Sequence, residues 1–344
     1  MSARLRRFLR FALANASHCS GAFWLGRFSR QKLLGKKEVC VLGLHRVLTK
    51  AEQFRSNSLD GMVLMDATFV RLLEYLQLRF HVISLETFFR GQAEEADKSK
   101  PWCLLTFDDG WRDTYTTAYP WLKKFGMPAT VFLATGSIEA RGGFWVEQLK
   151  RLWRTPSSRA QMKSVLSQPA GQNKLWSADL EDIVEWLKHM PAEKRHSLLR
   201  QLLPSEENSD SSEEVDSMLT WDQVIEMSRN GVEIGAHTVS HPLLSYENDS
   251  TVERELCISK QTLEEKLGKK VRAFAYPNGD WDERVRRWVK QVGYESAFTT
   301  RPGWHHFGQD WYTIRRIVLH EGNVTGADGQ FSPAMLNLTL AGWH

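Results

Sequence analysis

Residues 102–110 read Trp-Cys-Leu-Leu-Thr-Phe-Asp-Asp-Gly, an apolar run that stops abruptly on two acidic side chains and a glycine. A short, continuously apolar run bounded by turn residues is how a strand buried on both faces looks in a sequence. Similar β-rich runs stand at 39–44, 82–84, 129–133, 232–236, 271–276, 296–299 and 314–319. Between them apolar residues fall at helical spacing, as with Phe69, Leu72, Leu73 and Leu76, and again across 119–125 and 256–267. Gly126 and Gly293 stand where helices must stop before the next strand. Strands alternating with helices announce βα units and a parallel sheet, so an α/β fold is expected.

One interval breaks this rhythm. From about 139 to 219 the pattern is wholly helical, with Val146, Leu149, Leu152 and Trp153 spaced for one helix and Ile183, Val184, Trp186 and Leu187 for another. It ends in an acidic, serine-rich stretch over 205–217, which reads as a loop. The expected organisation is a basic amphipathic segment at 1–38 and one barrel-like unit at 39–344 carrying this helical insertion. The insertion either shapes access to a site at the strand ends or covers the outside of the barrel.

The chain has 344 residues, 42% hydrophobic and 25% charged, with a formal net charge of +4. No apolar run is long enough to span a bilayer. The charge is too small, and no basic strip is interleaved with aromatics, so no nucleic-acid partner is expected. Cys19, Cys40, Cys103 and Cys257 form no C-x-x-C pair, which argues against a zinc knuckle and for reduced thiols. At the N-terminus Arg10 interrupts what would otherwise be a signal-peptide core. Leu5, Phe8, Leu9, Ala12, Leu13 and Ala16 repeat instead at helical steps, opposite the arginines. Such a helix either makes peripheral contact with an anionic membrane surface or packs on the barrel.

The chemistry lies where strands end. Successive side chains on a strand point to opposite faces, so Asp108 and Asp109 can serve one site only if the strand stops there, and Gly110 permits that turn. A helix cap is the competing reading of this pair alone. The second cluster, Glu-Ile-Gly-Ala-His-Thr-Val-Ser-His-Pro over 233–242, decides between them. His237 and His241 close another strand and can converge on one divalent ion. Asp109, His237 and His241 would form a two-histidine, one-carboxylate site that suits zinc first, and also iron, cobalt or nickel. A spare carboxylate beside such a site is useless to an oxygenase but is the base a hydrolase needs. A third cluster, Phe-Ala-Tyr-Pro-Asn-Gly over 274–279, ends a further strand in a turn marked by Pro277 and Gly279.

Together these three clusters resemble the polysaccharide deacetylase family, the NodB-homology family of carbohydrate esterases, over roughly 39–319. Residues 106–110 match its first motif, 237–241 its second, and 274–279 a variant third. The resemblance implies a distorted (β/α)7-type barrel and a metal-dependent deacetylase acting on N-acetylated sugars of a surface polysaccharide or its lipid-linked precursor. It implies Asp108 as base, Asp109, His237 and His241 as metal ligands, and a backbone N–H near Asn278 as oxyanion donor. Ala275 stands where many relatives carry an arginine beside the base, so Arg315 or Arg316 is expected to orient Asp108. Ile-Val-Leu-His over 317–320 resembles the late motif that supplies the general acid, here His320. His45 and Tyr276 are expected to line the site, and Trp145, Trp221, Trp281 and Trp304 are candidates to stack on sugar rings. The same site would serve a deformylase or O-deacylase on a lipid-linked sugar. An inactive glycan-binding module is the remaining alternative, which the complete Asp, Asp, His, His set argues against. The expected location is the cytoplasm, at the inner membrane surface if the N-terminal helix meets lipid.

Overall fold

The computed structural model describes residues 11–12, 14–16, 18, 20–21, 38–91, 100–167, 178–202 and 214–342. In chain order the strands are β1 (Glu38–Leu44), β2 (Arg46–Leu48), β3 (Val63–Met65), β4 (His81–Val82), β5 (Trp102–Phe107), β6 (Thr130–Leu133), β7 (Glu233–Ala236), β8 (Ala273–Ala275), β9 (Ser296–Phe298), β10 (His305–His306) and β11 (Ile317–Val318). All eight expected runs contribute a strand or bridge to the main sheet. The pairs β2–β3, a small sheet of its own, and β10, antiparallel to β1, were not anticipated.

The strands β1, β5, β6, β7, β8 and β9 lie side by side and parallel. The sheet then returns to its start: Ile314 bridges Phe298 in parallel, and β11 pairs with β1 through Leu42↔Ile317 and Gly43↔Val318. Seven parallel segments thus close a distorted barrel, in agreement with the expected fold. The run over 314–319 is split, because between its two pairings the Arg316 N–H turns to the Arg301 carbonyl at 3.1 Å.

Alternation along the strands sorts side chains between two cores. Val39, Val41, Leu104, Phe132 and Phe298 belong to one buried cluster, while Cys40, Leu42, Cys103, Leu105 and Val131 join another beneath the helices. Gly235 is required here, since a Cβ at that position would sit 2.4 Å from the Phe132 ring. By the same alternation Thr106 and Asp108 share a face with Leu104, so the strand that fills the barrel also delivers Asp108 to its rim.

The principal helices are α1 (Asp66–Arg79), α2 (Tyr119–Phe125), α3 (Trp145–Trp153), α4 (Pro156–Ser167), α5 (Leu180–Lys188), α6 (Ala192–Leu199), α7 (Trp221–Arg229), α8 (Asp249–Leu267), α9 (Glu283–Gln291) and α10 (Pro333–Leu340). Gly126, with φ 62°, ends α2 in the left-handed conformation, and Gly293, with φ 88°, follows α9. The helices α3 to α6 form the insertion between β6 and α7. They carry a core of their own around Leu149, Met162, Ile183, Val184 and Leu187.

Of the N-terminal segment, Phe11 and Ala14 pack against Ala334, Met335 and Leu338 of α10. Leu5, Phe8, Leu9, Leu13 and the arginines of the expected amphipathic helix lie outside the described residues. Among the described residues no helix is long and apolar enough to cross a membrane. Most of the acidic stretch over 205–217 is also outside them, but its end is no surface loop. Asp216 is buried, accepting from Arg46 at 2.6 Å and from the Asn57 amide at 2.9 Å. Composition alone concealed this anchor, because its partners lie about 160–170 positions earlier in the chain.

Candidate metal centre and active-site cleft

At the end of β5 the chain turns sharply, with Asp109 at φ 77° and Gly110 at φ 89°. Asp109 is a non-glycine residue in the left-handed region, a conformation that surrounding structure must enforce. Its reward is geometric: both carboxylates reach the same rim. Trp111 Nε1 donates to Asp109 Oδ2 at 3.0 Å, which leaves Oδ1 facing the histidines.

The loop after β7 is bent by the same means, with Thr238 at φ 68° and His241 at φ 57°. Glu255 of α8 holds it, accepting from the Val239 and Ser240 amides at 2.8 and 2.9 Å and from Ser240 Oγ at 2.8 Å. Sequence reading missed Glu255, whose acidic type at a helical position carries no signal. His237 Nδ1 contacts the Ala275 carbonyl at 2.7 Å, so Nε2 points into the site. There His237 Nε2 and His241 Nε2 are 3.2 Å apart, and they stand 3.5 and 3.3 Å from Asp109 Oδ1.

Three ligands around a tetrahedral ion, each bonded at about 2.0–2.1 Å, sit about 3.3 Å from one another. The observed triangle has that size, and its donor set of two imidazoles and a carboxylate fits zinc, iron, cobalt or nickel. Burial pushes the Asp109 carboxyl up, but its hydrogen bonds with His237 and His241 hold it well below the ordinary range. Burial pulls His241 down, toward the neutral form a cation needs.

Asp108 is 3% exposed and lies beside this triangle. Its two oxygens accept from Arg316 Nη1 and Nη2, both at 2.6 Å, and Arg316 is itself fully buried. Burial would raise its pKa, yet the guanidinium, with His237, lowers it. Arg316 is therefore the orienting arginine. Arg315 is not: its Nη1 donates to the Pro302 carbonyl, away from the cleft.

The other expected residues divide as follows. His45 lines the cleft, and the register Leu44↔Phe107 places it next to Asp108. Its Nδ1 is buried without a hydrogen-bond partner. His320 follows β11 one strand over, but its ring accepts the Asn323 N–H and it is not among the residues lining the cleft. Asn278, at φ 58° in the Pro277–Gly279 turn, lines the cleft, whereas Tyr276 is buried beneath it with its hydroxyl on the Tyr312 carbonyl. Trp145 lines the cleft, while Trp304 is a core residue bonded to the Leu340 carbonyl.

The profile of the polysaccharide deacetylase family matches residues 95–297, more than half of the chain. The chain belongs to the polysaccharide deacetylase family. YxkH of Bacillus subtilis (strain 168), named for the same family, is 23% identical over 242 residues, 70% of this chain and 60% of that protein. The match thus spans less than two thirds of the relative's length. Among solved structures, Streptococcus pyogenes deacetylase PplD in complex with acetate aligns over 89% of this chain and 99% of its own, at TM-score 0.57 and 20% identity. BC0361, a polysaccharide deacetylase from Bacillus cereus, aligns over 87% of this chain and 69% of its own, at TM-score 0.55 and 18% identity. At such identities these structures support the shared deacetylase fold alone.

The far wall of the cleft in this deacetylase-family chain comes from the insertion, through Phe144, Trp145, Glu147, Lys188 and Arg195. Sequence reading found the helices but none of the polar members of this wall. Glu147 is 4% exposed, and burial pushes its carboxyl up to about 8.

Proposed function

We propose that this protein is a metal-dependent hydrolase that removes acetyl groups from N-acetylated sugars of a polysaccharide or its lipid-linked precursor. The observation that carries the reading is Asp108: a buried carboxylate, kept ionised by Arg316, next to a three-ligand triangle of tetrahedral size. A divalent ion held by Asp109, His237 and His241 would supply Lewis-acid polarisation of water and acetyl oxygen. Asp108 then takes the proton of the attacking water through the carboxylate that Arg316 orients.

In the turn over 276–280, Pro277 has no N–H, and the Tyr276, Gly279 and Asp280 amides donate to the Phe298, Tyr276 and Pro277 carbonyls. The Asn278 N–H is therefore the donor this turn offers to the developing oxyanion. His45, rather than His320, is taken as the general acid, because it lines the cleft beside Asp108.

Asp108→Asn should keep its metal, measured by elemental analysis, and lose about 10²- to 10⁴-fold in acetate release. Full activity in that variant would overturn the reading. His45→Gln should lose a comparable factor and His320→Gln less than about tenfold. The reverse ranking would return the acid role to His320.

A further inference from the structure

The insertion places two cations in the cleft that the reaction does not use. Lys188, near the end of α5, donates to Asn278 Oδ1 at 3.4 Å, which sets its ammonium over the oxyanion turn. Arg195 of α6 is 5% exposed, and the one hydrogen bond of its side chain among the described residues is a long 3.4 Å contact with the Met190 carbonyl. Its guanidinium also sits 5.1 Å from the centroid of Trp145, an aromatic platform in the same cleft. No ion pair reaches Arg195 among the described residues.

The Arg195 guanidinium thus lines the cleft with five donors and one long protein acceptor, so most of its N–H groups are left for whatever occupies the cleft. The carboxylates nearby are already engaged. Asp108 is taken by Arg316, Asp109 faces the histidines and Trp111, and Glu247 accepts from the Ala192 amide at 2.6 Å. Glu147 is held largely neutral at pH 7 by burial. Glu185 is 59% exposed and meets Lys188 only at 3.8 Å, so water screens the pair. Burial pulls the Arg195 pKa down, with Glu247 offsetting only part of the effect, as expected for a cation missing its partner.

We infer that the substrate is an N-acetylated sugar bearing a negatively charged substituent, a phosphate ester or a carboxylate, which Arg195 and Lys188 hold while the sugar ring lies against Trp145. This rests on the deacetylase reading and narrows its substrate class. Guanidinium and ammonium both bind such groups strongly, and Arg195 adds the bidentate geometry that planar oxyanions match.

The test is calorimetric titration of the full-length, metal-loaded Asp108→Asn protein with three probes: N-acetylglucosamine 1-phosphate, N-acetylglucosaminuronate and neutral N,N′-diacetylchitobiose. At least one anionic probe should bind about tenfold or more tightly than the neutral one, the gain expected from one charge-assisted contact. Which probe wins tells phosphate from carboxylate. Adding Arg195→Met or Lys188→Met should reduce that ratio to below about threefold, and Arg195→Lys should retain more of it than Arg195→Met. Lys188 is partly exposed, so its variant serves if Arg195→Met fails to fold. Equal affinity for all three probes, or a preference that survives both substitutions, would overturn the inference. Acetate release by the unsubstituted enzyme separates the two ideas. Turnover of neutral glycans without anionic preference leaves deacetylation standing and removes the subsite, whereas selective binding without any acetate release does the opposite.

Discussion

Asp108 on the barrel and Glu147 on the insertion face the same cleft, and both are almost completely buried, yet their surroundings pull the first carboxyl below its ordinary pKa and push the second up to about 8. Asp108 owns a guanidinium, since Arg316 grips both its oxygens. Glu147 has none to itself. The nearby Arg46 already donates to Asp113 at 2.9 Å and Asp216 at 2.6 Å, so a third carboxyl gains little by ionising. Buried carboxyls are therefore acid or base according to how many anions share the available cation, and the two walls of one cleft differ on that count.

The sharpest way to break this contrast is Arg316→Met. It leaves Asp108 buried without its cation, which should cost about 3–5 kcal/mol of stability. Removing the group that lowers the Asp108 pKa must raise it, so the acid limb of the kcat/KM profile moves to higher pH, with activity near pH 7 down about 10²-fold or more. An unmoved limb would show that something else keeps Asp108 ionised.

A smaller change separates the two walls mechanically. Ile183→Ala in the insertion core should cost about 2–5 kcal/mol, while metal content stays that of the unsubstituted protein. Loss of metal in that variant would mean that the barrel rim depends on the insertion.

The smallest effect expected is that of Glu147→Gln. The folded chain holds this proton up to about pH 8, while an unfolded chain releases it near pH 4.3. The folded state binds more protons in between, so stability falls as pH rises through the window, by about 1–2 kcal/mol from pH 6.5 to 8. The Gln variant should lose that much less over the same range in denaturant titrations. A parallel decline in both proteins would place the proton elsewhere.

Much of the candidate site was legible because its residues lie at strand ends, in runs of five to ten residues where spacing alone limits geometry. Asp108, Asp109, His237 and His241 were found in this way. Arg316 was narrowed only to a pair, since nothing local distinguishes it from Arg315 where the strand breaks. His45 and His320 end adjacent strands, and only folding sets them apart: His45 lines the cleft, whereas the His320 ring accepts the Asn323 N–H. The Arg46–Asp216 pair and the pinning of the histidine loop by Glu255 were illegible, as was the polar wall of Glu147, Lys188 and Arg195. In each, the partners lie on different elements or far apart in sequence.

The amino-acid order by itself determined a parallel α/β fold and which side chains could meet a cation, because hydrophobic period and strand termination act within a few residues, while closure into a barrel joins Leu42 to Ile317. Tertiary structure alone decided which arginine serves Asp108, which histidine faces the cleft and which acid keeps its proton. Those outcomes depend on desolvation and charge sharing among groups that only folding brings within about 4 Å.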